Sequence, residues 1–138
     1  MKKEFVRYEL AVKLKELGFD EPCFNKFYTK PQSKMFGVDE KGRHYQIKNT
    51  SKKLYTMGED FVLNDSNVIL APLYQQSFRW FREKYNLYSF VFKFDEGFGY
   101  ETYKEGVTQT NESFDTYEEA EIACLTKLIG IVEQQNQK

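Results

Sequence analysis

Apolar and polar positions recur along this chain with two different periods, and the changes of period mark its elements. Over residues 8–17, Leu10, Leu14 and Leu17 return at helical spacing, with Ala11 and Val12 beside them and Lys and Glu on the other face. Gly18 follows where a helix favours a left-handed residue, and Phe19 is placed to fold back on the last turn. Asp20-Glu21-Pro22 then breaks the chain. Residues 23–29 read as a strand that Pro31 ends. A hairpin is expected next, 34–38 with 43–48; its register is open by one residue, and a loop of Glu40-Lys41-Gly42 would set Gly37 opposite Tyr45.

The helical period returns at Pro72, which lacks the N–H that a first turn leaves unpaired. Tyr74, Phe78, Phe81 and Tyr85 form the stripe, Leu73, Ser77 and Trp80 flank it, and Asn86 suits a left-handed stop. The period then falls to two. Tyr88, Phe90, Phe92 and Phe94 alternate with Ser89, Val91 and Lys93, and Phe98, Tyr100 and Thr102 continue after Asp95-Glu96-Gly97. A three-residue loop pairs Phe94 with Phe98, Phe92 with Tyr100 and Phe90 with Thr102, and this aromatic row is expected to face the core. The last helix opens with a capping box, Thr116-Tyr117-Glu118-Glu119. Its expected buried stripe is Tyr117, Ala120, Cys124, Leu128 and Ile131, widened by Leu125 and Val132. Glu118, Glu119 and Glu121 read as surface matched to the helix dipole. Residues 49–70 read as a loop segment without a clear element, and 134–138 as a frayed tail.

The order α-β-β-β-α-β-β-α gives a single α+β domain over residues 1–138. Its sheet is mostly antiparallel, with about three helices packed on one face. A length of 138 residues suits one core. The 13 Phe, 10 Tyr and single Trp supply much of the apolar surface for that core, since each ring buries roughly 150–250 Å².

Charge alters the picture only locally. Residues 1–57 carry 13 Lys and Arg against 7 Asp and Glu, whereas residues 58–138 carry 7 against 14. This asymmetry fits two halves that attract each other across the fold, or a basic binding face. No stretch approaches the ~18 apolar residues of a membrane span, and the N-terminus lacks a signal peptide's apolar run. Two distant cysteines do not make a disulfide scaffold, so a cytoplasmic location is expected.

Candidate chemistry is sparse. The one histidine, His44, lies on a hairpin strand, and neither Cys23 nor Cys124 is placed beside it by any pattern, so no catalytic residue is assigned. One His and two Cys cannot form a structural zinc site, the acidic runs lack calcium-loop spacing, and no phosphate-binding glycine pattern occurs. No metal or cofactor is expected. Binding is the remaining class. Tyr45, Lys48, Lys52, Lys53 and Tyr55 interleave cations and rings as a nucleic-acid surface would. Trp80 and Tyr88 flank the core stripes as candidate exposed anchors. Protein binding is the first reading and nucleic-acid binding the second. A small-molecule binder or hydrolase with carboxylates assembled by the fold is the third.

The segment Ala71-Pro-Leu-Tyr-Gln-Gln-Ser-Phe-Arg-Trp-Phe-Arg-Glu-Lys-Tyr85, with Phe114-Asp-Thr-Tyr-Glu-Glu-Ala120, resembles a group of short proteins from phages and phage-bearing bacteria. The likeness covers the C-terminal half. It implies a phage-linked accessory protein whose partner is a host or phage protein, and it carries over no functional residue.

Overall fold

The computed structural model describes residues 4–23, 25–28, 36–38, 41, 44–46, 54–56, 68–104, 107–109 and 112–137. Helix α1 spans Tyr8–Glu16 and buries Leu10, Ala11 and Leu14. It ends as its sequence predicts: Gly18 takes φ 95°, and the Phe19 amide donates to Leu14 O at 2.9 Å. That bond turns the Phe19 ring into the core. Strand β1 (Asn25–Tyr28) follows. It is the middle of a three-stranded antiparallel ladder with β4 (Leu54–Thr56) and β5 (Val68–Ala71) on its two sides.

Segment 49–70, which reads as a loop, therefore contains β4 and most of β5. A three-residue strand is too short to show a period. In β5 the successive residues Ile69, Leu70 and Ala71 are all buried, so this strand has no polar face to alternate with. Strands β2 (Phe36–Val38) and β3 (His44–Gln46) pair with Gly37 opposite Tyr45, one of the two registers the sequence leaves open.

Helix α2 spans Tyr74–Tyr85. The Val6 amide donates to Pro72 O at 2.8 Å, tying the N-terminal segment to its entry. Its buried face is Tyr74, Ser77, Trp80 and Phe81, rotated from the expected stripe, and Phe78 and Tyr85 are only half-buried. Trp80 sets the rotation. Its indole packs edge-on against Phe19 at 5.3 Å, Phe81 at 5.0 Å and Tyr85 at 5.4 Å. Asn86 stops the helix in the left-handed conformation, φ 53°.

Strands β6 (Tyr88–Phe94), β7 (Gly97–Tyr103) and β8 (Val107–Gln109) form a second three-stranded antiparallel ladder. Its register differs by one residue from the sequence expectation. Phe94 faces Gly97, Phe92 faces Gly99, Val91 faces Tyr100 and Ser89 faces Thr102, around a loop of only Asp95-Glu96. Gly97 is drawn into the ladder because Phe98 and Phe114 exchange both backbone hydrogen bonds at 2.9 Å beside it. A Cβ at Gly97 would lie 2.6 Å from Phe114 O, so only glycine fits.

Helix α3 spans Tyr117–Asn136. Thr116 Oγ1 accepts from the Glu119 amide, and Glu119 Oε2 accepts from the Asp115 amide, both at 3.2 Å. The helix continues through Gln134, Gln135 and Asn136, where the sequence suggests a frayed tail. It packs against β6 and β7 on one side and against α1 and α2 on the other. Leu125, Leu128, Ile129 and Val132 are its contribution to the core. Each such side chain contributes roughly 1.5–3 kcal/mol by leaving water. The fold is α+β with every strand pairing antiparallel. Among the described residues, no helix is long and apolar enough to cross a membrane.

Candidate functional site

The one-residue change of register decides what the β6–β7 ladder shows to water. Residues opposite each other share a face, so Tyr88, Phe90, Phe92 and Phe94 lie with Gly97, Gly99, Glu101 and Tyr103. The other face carries Ser89, Val91, Lys93, Phe98, Tyr100 and Thr102, and this one meets α3. Thr102 is 1% exposed. Ser89 Oγ is buried beside the Cys124 thiol without a hydrogen bond of good geometry. The Phe98 ring stands edge-on to Tyr117 of α3 at 6.0 Å.

The aromatic row is therefore not the core face, contrary to the sequence expectation. Tyr88 is 48% exposed and Phe90 46%. Small Ser89 and Thr102 let a helix already rich in large aliphatics approach closely, whereas a row of phenylalanines would hold it off. Outside, the rings make a continuous surface. Phe90 stacks on Tyr103 at 5.8 Å and 17°, and Phe90–Phe92 and Phe92–Phe94 follow at 5.9 and 6.0 Å. Gly99 is their floor, since a Cβ there would stand 3.1 Å from Phe92 Cζ and 3.2 Å from Phe94 Cε1. Glu101 sits among the rings and accepts from the Tyr103 hydroxyl at 2.6 Å, which pushes that phenol's pKa up. No Lys or Arg occupies this face of β6 or β7. Strand β6 is an edge, with no strand beyond it among the described residues.

A second candidate lies where the N-terminal segment meets the starts of α2 and α3. Glu4, Leu73, Tyr74, Tyr117, Glu118 and Glu121 line a cavity of about 320 Å³. It adjoins one of about 350 Å³ reaching Phe5, Arg7 and Ile122, with Tyr74 and Glu118 common to both. Glu121 is 7% exposed rather than the surface residue its dipole-matched position suggests. Burial, reinforced by the charges of Glu118 and Glu4, pushes its carboxyl up to about 7. Tyr74 is 3% exposed. Its hydroxyl makes no hydrogen bond of good geometry, although it lies near the Arg7 backbone. Among the described residues, no group of three His, Cys, Asp or Glu is placed to hold a metal.

The sequence-derived candidates fare unequally. Tyr88 stands on the exposed aromatic face. Trp80 is 5% exposed, so it is a core residue and not a surface anchor; the three rings packed around it take up its apolar surface. Tyr45 lies in β3 opposite Gly37, and Tyr55 lies in β4 opposite Lys26, in separate ladders. Lys48, Lys52 and Lys53 lie outside the described residues. Burial pushes both thiols, Cys23 and Cys124, up to about 12, which opposes a thiolate nucleophile. Residues that the sequence did not single out for binding are Phe90, Phe92, Glu101 and Tyr103. The available signal was the pair Gly97 and Gly99, small residues that rings on a partner strand can cover.

The chain matches no family model, no curated protein and no solved structure.

Proposed function

We propose that the protein is a small non-enzymatic binding module that takes an extended segment of another protein along β6. The observation that carries this reading is the aromatic row of the β6–β7 ladder, turned away from α3 and standing beside a strand edge that no strand covers among the described residues. An edge supplies main-chain donors and acceptors for an added strand, and rings on the face beside it receive alternate side chains of that strand. Charge favours a protein segment over a polyanion. This face of β6 and β7 carries Glu101 and no Lys or Arg, and the turn carries Asp95 and Glu96. The partner segment should therefore alternate apolar residues with Lys or Arg. The phage-linked accessory role that the resemblance of the C-terminal half implies would be of this kind. Binding of nucleic acid through Tyr45, Lys48, Lys52, Lys53 and Tyr55 is the competing reading.

Selection of displayed random peptides against the folded protein tests this. Enriched peptides should alternate apolar and basic residues, and Phe90→Ser should weaken them at least about tenfold, the loss of one buried aromatic anchor. Peptides that bind the Phe90→Ser and Tyr88→Ser variants as well as the parent would overturn the reading. So would salt-sensitive capture of oligonucleotides with no peptide enriched.

A further inference from the structure

Strand β6 has two edges, and its register with β7 decides which backbone groups point to each. Phe98 exchanges both of its backbone hydrogen bonds with Phe114, on the side of β7 away from β6. Backbone groups along a strand point alternately to its two sides, so Gly97, Gly99, Glu101 and Tyr103 bond to Phe94, Phe92, Phe90 and Tyr88. The N–H and C=O groups of Ser89, Val91 and Lys93 therefore point to the other edge, where no strand lies among the described residues. We propose that β6 pairs there with the β6 of a second copy of this chain, antiparallel about a twofold axis at Val91, and that this pairing closes the edge until an incoming segment displaces it. The pairing rests on the reading above of β6 as an edge that accepts a strand, and it names the occupant when no other is present.

The hydrogen-bond set is self-complementary. With Val91 opposite Val91, Ser89 of each copy faces Lys93 of the other, and every outward residue of both strands exchanges its bonds. Sliding the strands either way loses a pair. One slide sets Lys93 against Leu87, whose amide already donates to Phe81 O, and the other sets Ser89 against Asp95 in the turn. The side chains match as well. The twofold keeps the rings of both copies on one face, where Phe90 meets Phe92 and Tyr88 meets Phe94 as close cross-strand pairs, covering the exposed Tyr88 and Phe90. Charge completes the fit at the ends. Antiparallel pairing brings the Asp95-Glu96 turn of one copy to the end of α2 of the other, whose last turn carries Arg82 and Lys84. With 20 Lys and Arg against 21 Asp and Glu, two copies do not repel each other at a distance. The rings and strand cover roughly a few hundred Å² per copy, below the ~800 Å² of a stable interface, so the dimer should be weak, with a Kd on the order of 100 µM. In dilute solution the edge is open.

Analytical ultracentrifugation of the full chain from about 10 µM to about 1 mM tests this. The average mass should rise from that of a monomer toward that of a dimer. Val91→Lys sets two cations opposite each other and should raise the Kd at least about tenfold. Lys127→Ser, exposed on α3, should leave it unchanged. Val91 is half-buried, so a conservative variant keeps the test independent of folding. With oxidised glutathione at the highest concentration, Val91→Cys should form a disulfide-linked dimer, because residues opposite each other across the axis lie within disulfide reach. Lys93→Cys should not, since it faces Ser89 and stands roughly 14 Å from its own counterpart. The native thiols, both pushed up to about 12 by burial, react slowly. A mass that stays monomeric throughout, or cross-linking of Lys93→Cys as readily as of Val91→Cys, would overturn the pairing. A peptide enriched through Phe90 should dissociate the dimer as it binds. Such a peptide on a chain that never dimerises would sink the pairing and leave the peptide reading intact. A dimer linked through Val91→Cys with no peptide enriched would uphold the pairing and remove the peptide reading.

Discussion

The two faces of the β6–β7 ladder show how differently one strand pair can spend its side chains. One face mixes Ser89, Val91, Lys93 and Thr102 with the rings of Phe98 and Tyr100 and is partly polar, yet it is the face that α3 covers. The other, with Phe90, Phe92, Phe94 and Tyr103, is the more apolar and stands toward water. Where Ser89 lies beside Cys124 and Thr102 is fully covered, the bulk is supplied by α3 itself. Burial follows the fit between layers, not the hydrophobicity of a face taken alone.

The contrast can be tested first where the effect is largest. Leu128→Ala, on the covered side, should cost about 3 kcal/mol in urea unfolding, the usual loss for a fully buried leucine. Next, Gly99→Val should cost about 1.5 kcal/mol, because its Cβ meets the Phe92 and Phe94 rings and must push them off the strand. A neutral result would mean that the outer rings are not held in place.

A smaller effect is expected at Glu121. Its folded pKa is raised to about 7 from the ordinary 4.5. The protonated carboxyl therefore supports the fold fully below the unfolded value, and that support is lost as pH rises through about 7. The parent should lose about 1 kcal/mol relative to Glu121→Gln between pH 5 and pH 8, a discounted figure because the carboxyl end keeps partial contact with solvent. A parallel pH dependence in the two proteins would remove Glu121 from the account. The smallest change belongs to the open face. Phe90→Ser should alter stability by no more than about 0.5 kcal/mol, as surface substitutions do, while its effect on peptide binding is large. A loss comparable to Leu128→Ala would show that this face is covered in solution.

Periodicity made the three helices legible, because each combines a stripe with an end signal. Gly18 and Asn86 take the left-handed conformations that their positions suggest, and Thr116 caps α3 as its box implies. The first hairpin itself was legible but its register was open by one residue, and the structure sets Gly37 opposite Tyr45. Strand β5 was hidden because residues buried on both faces do not alternate. The second hairpin was misread for a subtler reason. Alternation reports which residues share a face, but whether Gly97 belongs to the loop or to the ladder depends on the bridge of Phe98 to Phe114, sixteen residues on in the chain. That contact moved the register by one position, and with it the reading of the aromatic face. The acidic cavity was illegible in the same way: Glu4, Tyr74 and Glu121 converge only through packing of three separate segments.

Helix α3 lies between the α1–α2 side of the molecule and the β6–β7 ladder, and it follows both in the chain. During synthesis, neither layer can complete its interior until the polypeptide has been made through Val132. Emergence of α3 from the ribosome should therefore coincide with the cooperative step of folding, and nascent chains that lack it should remain substrates for chaperones.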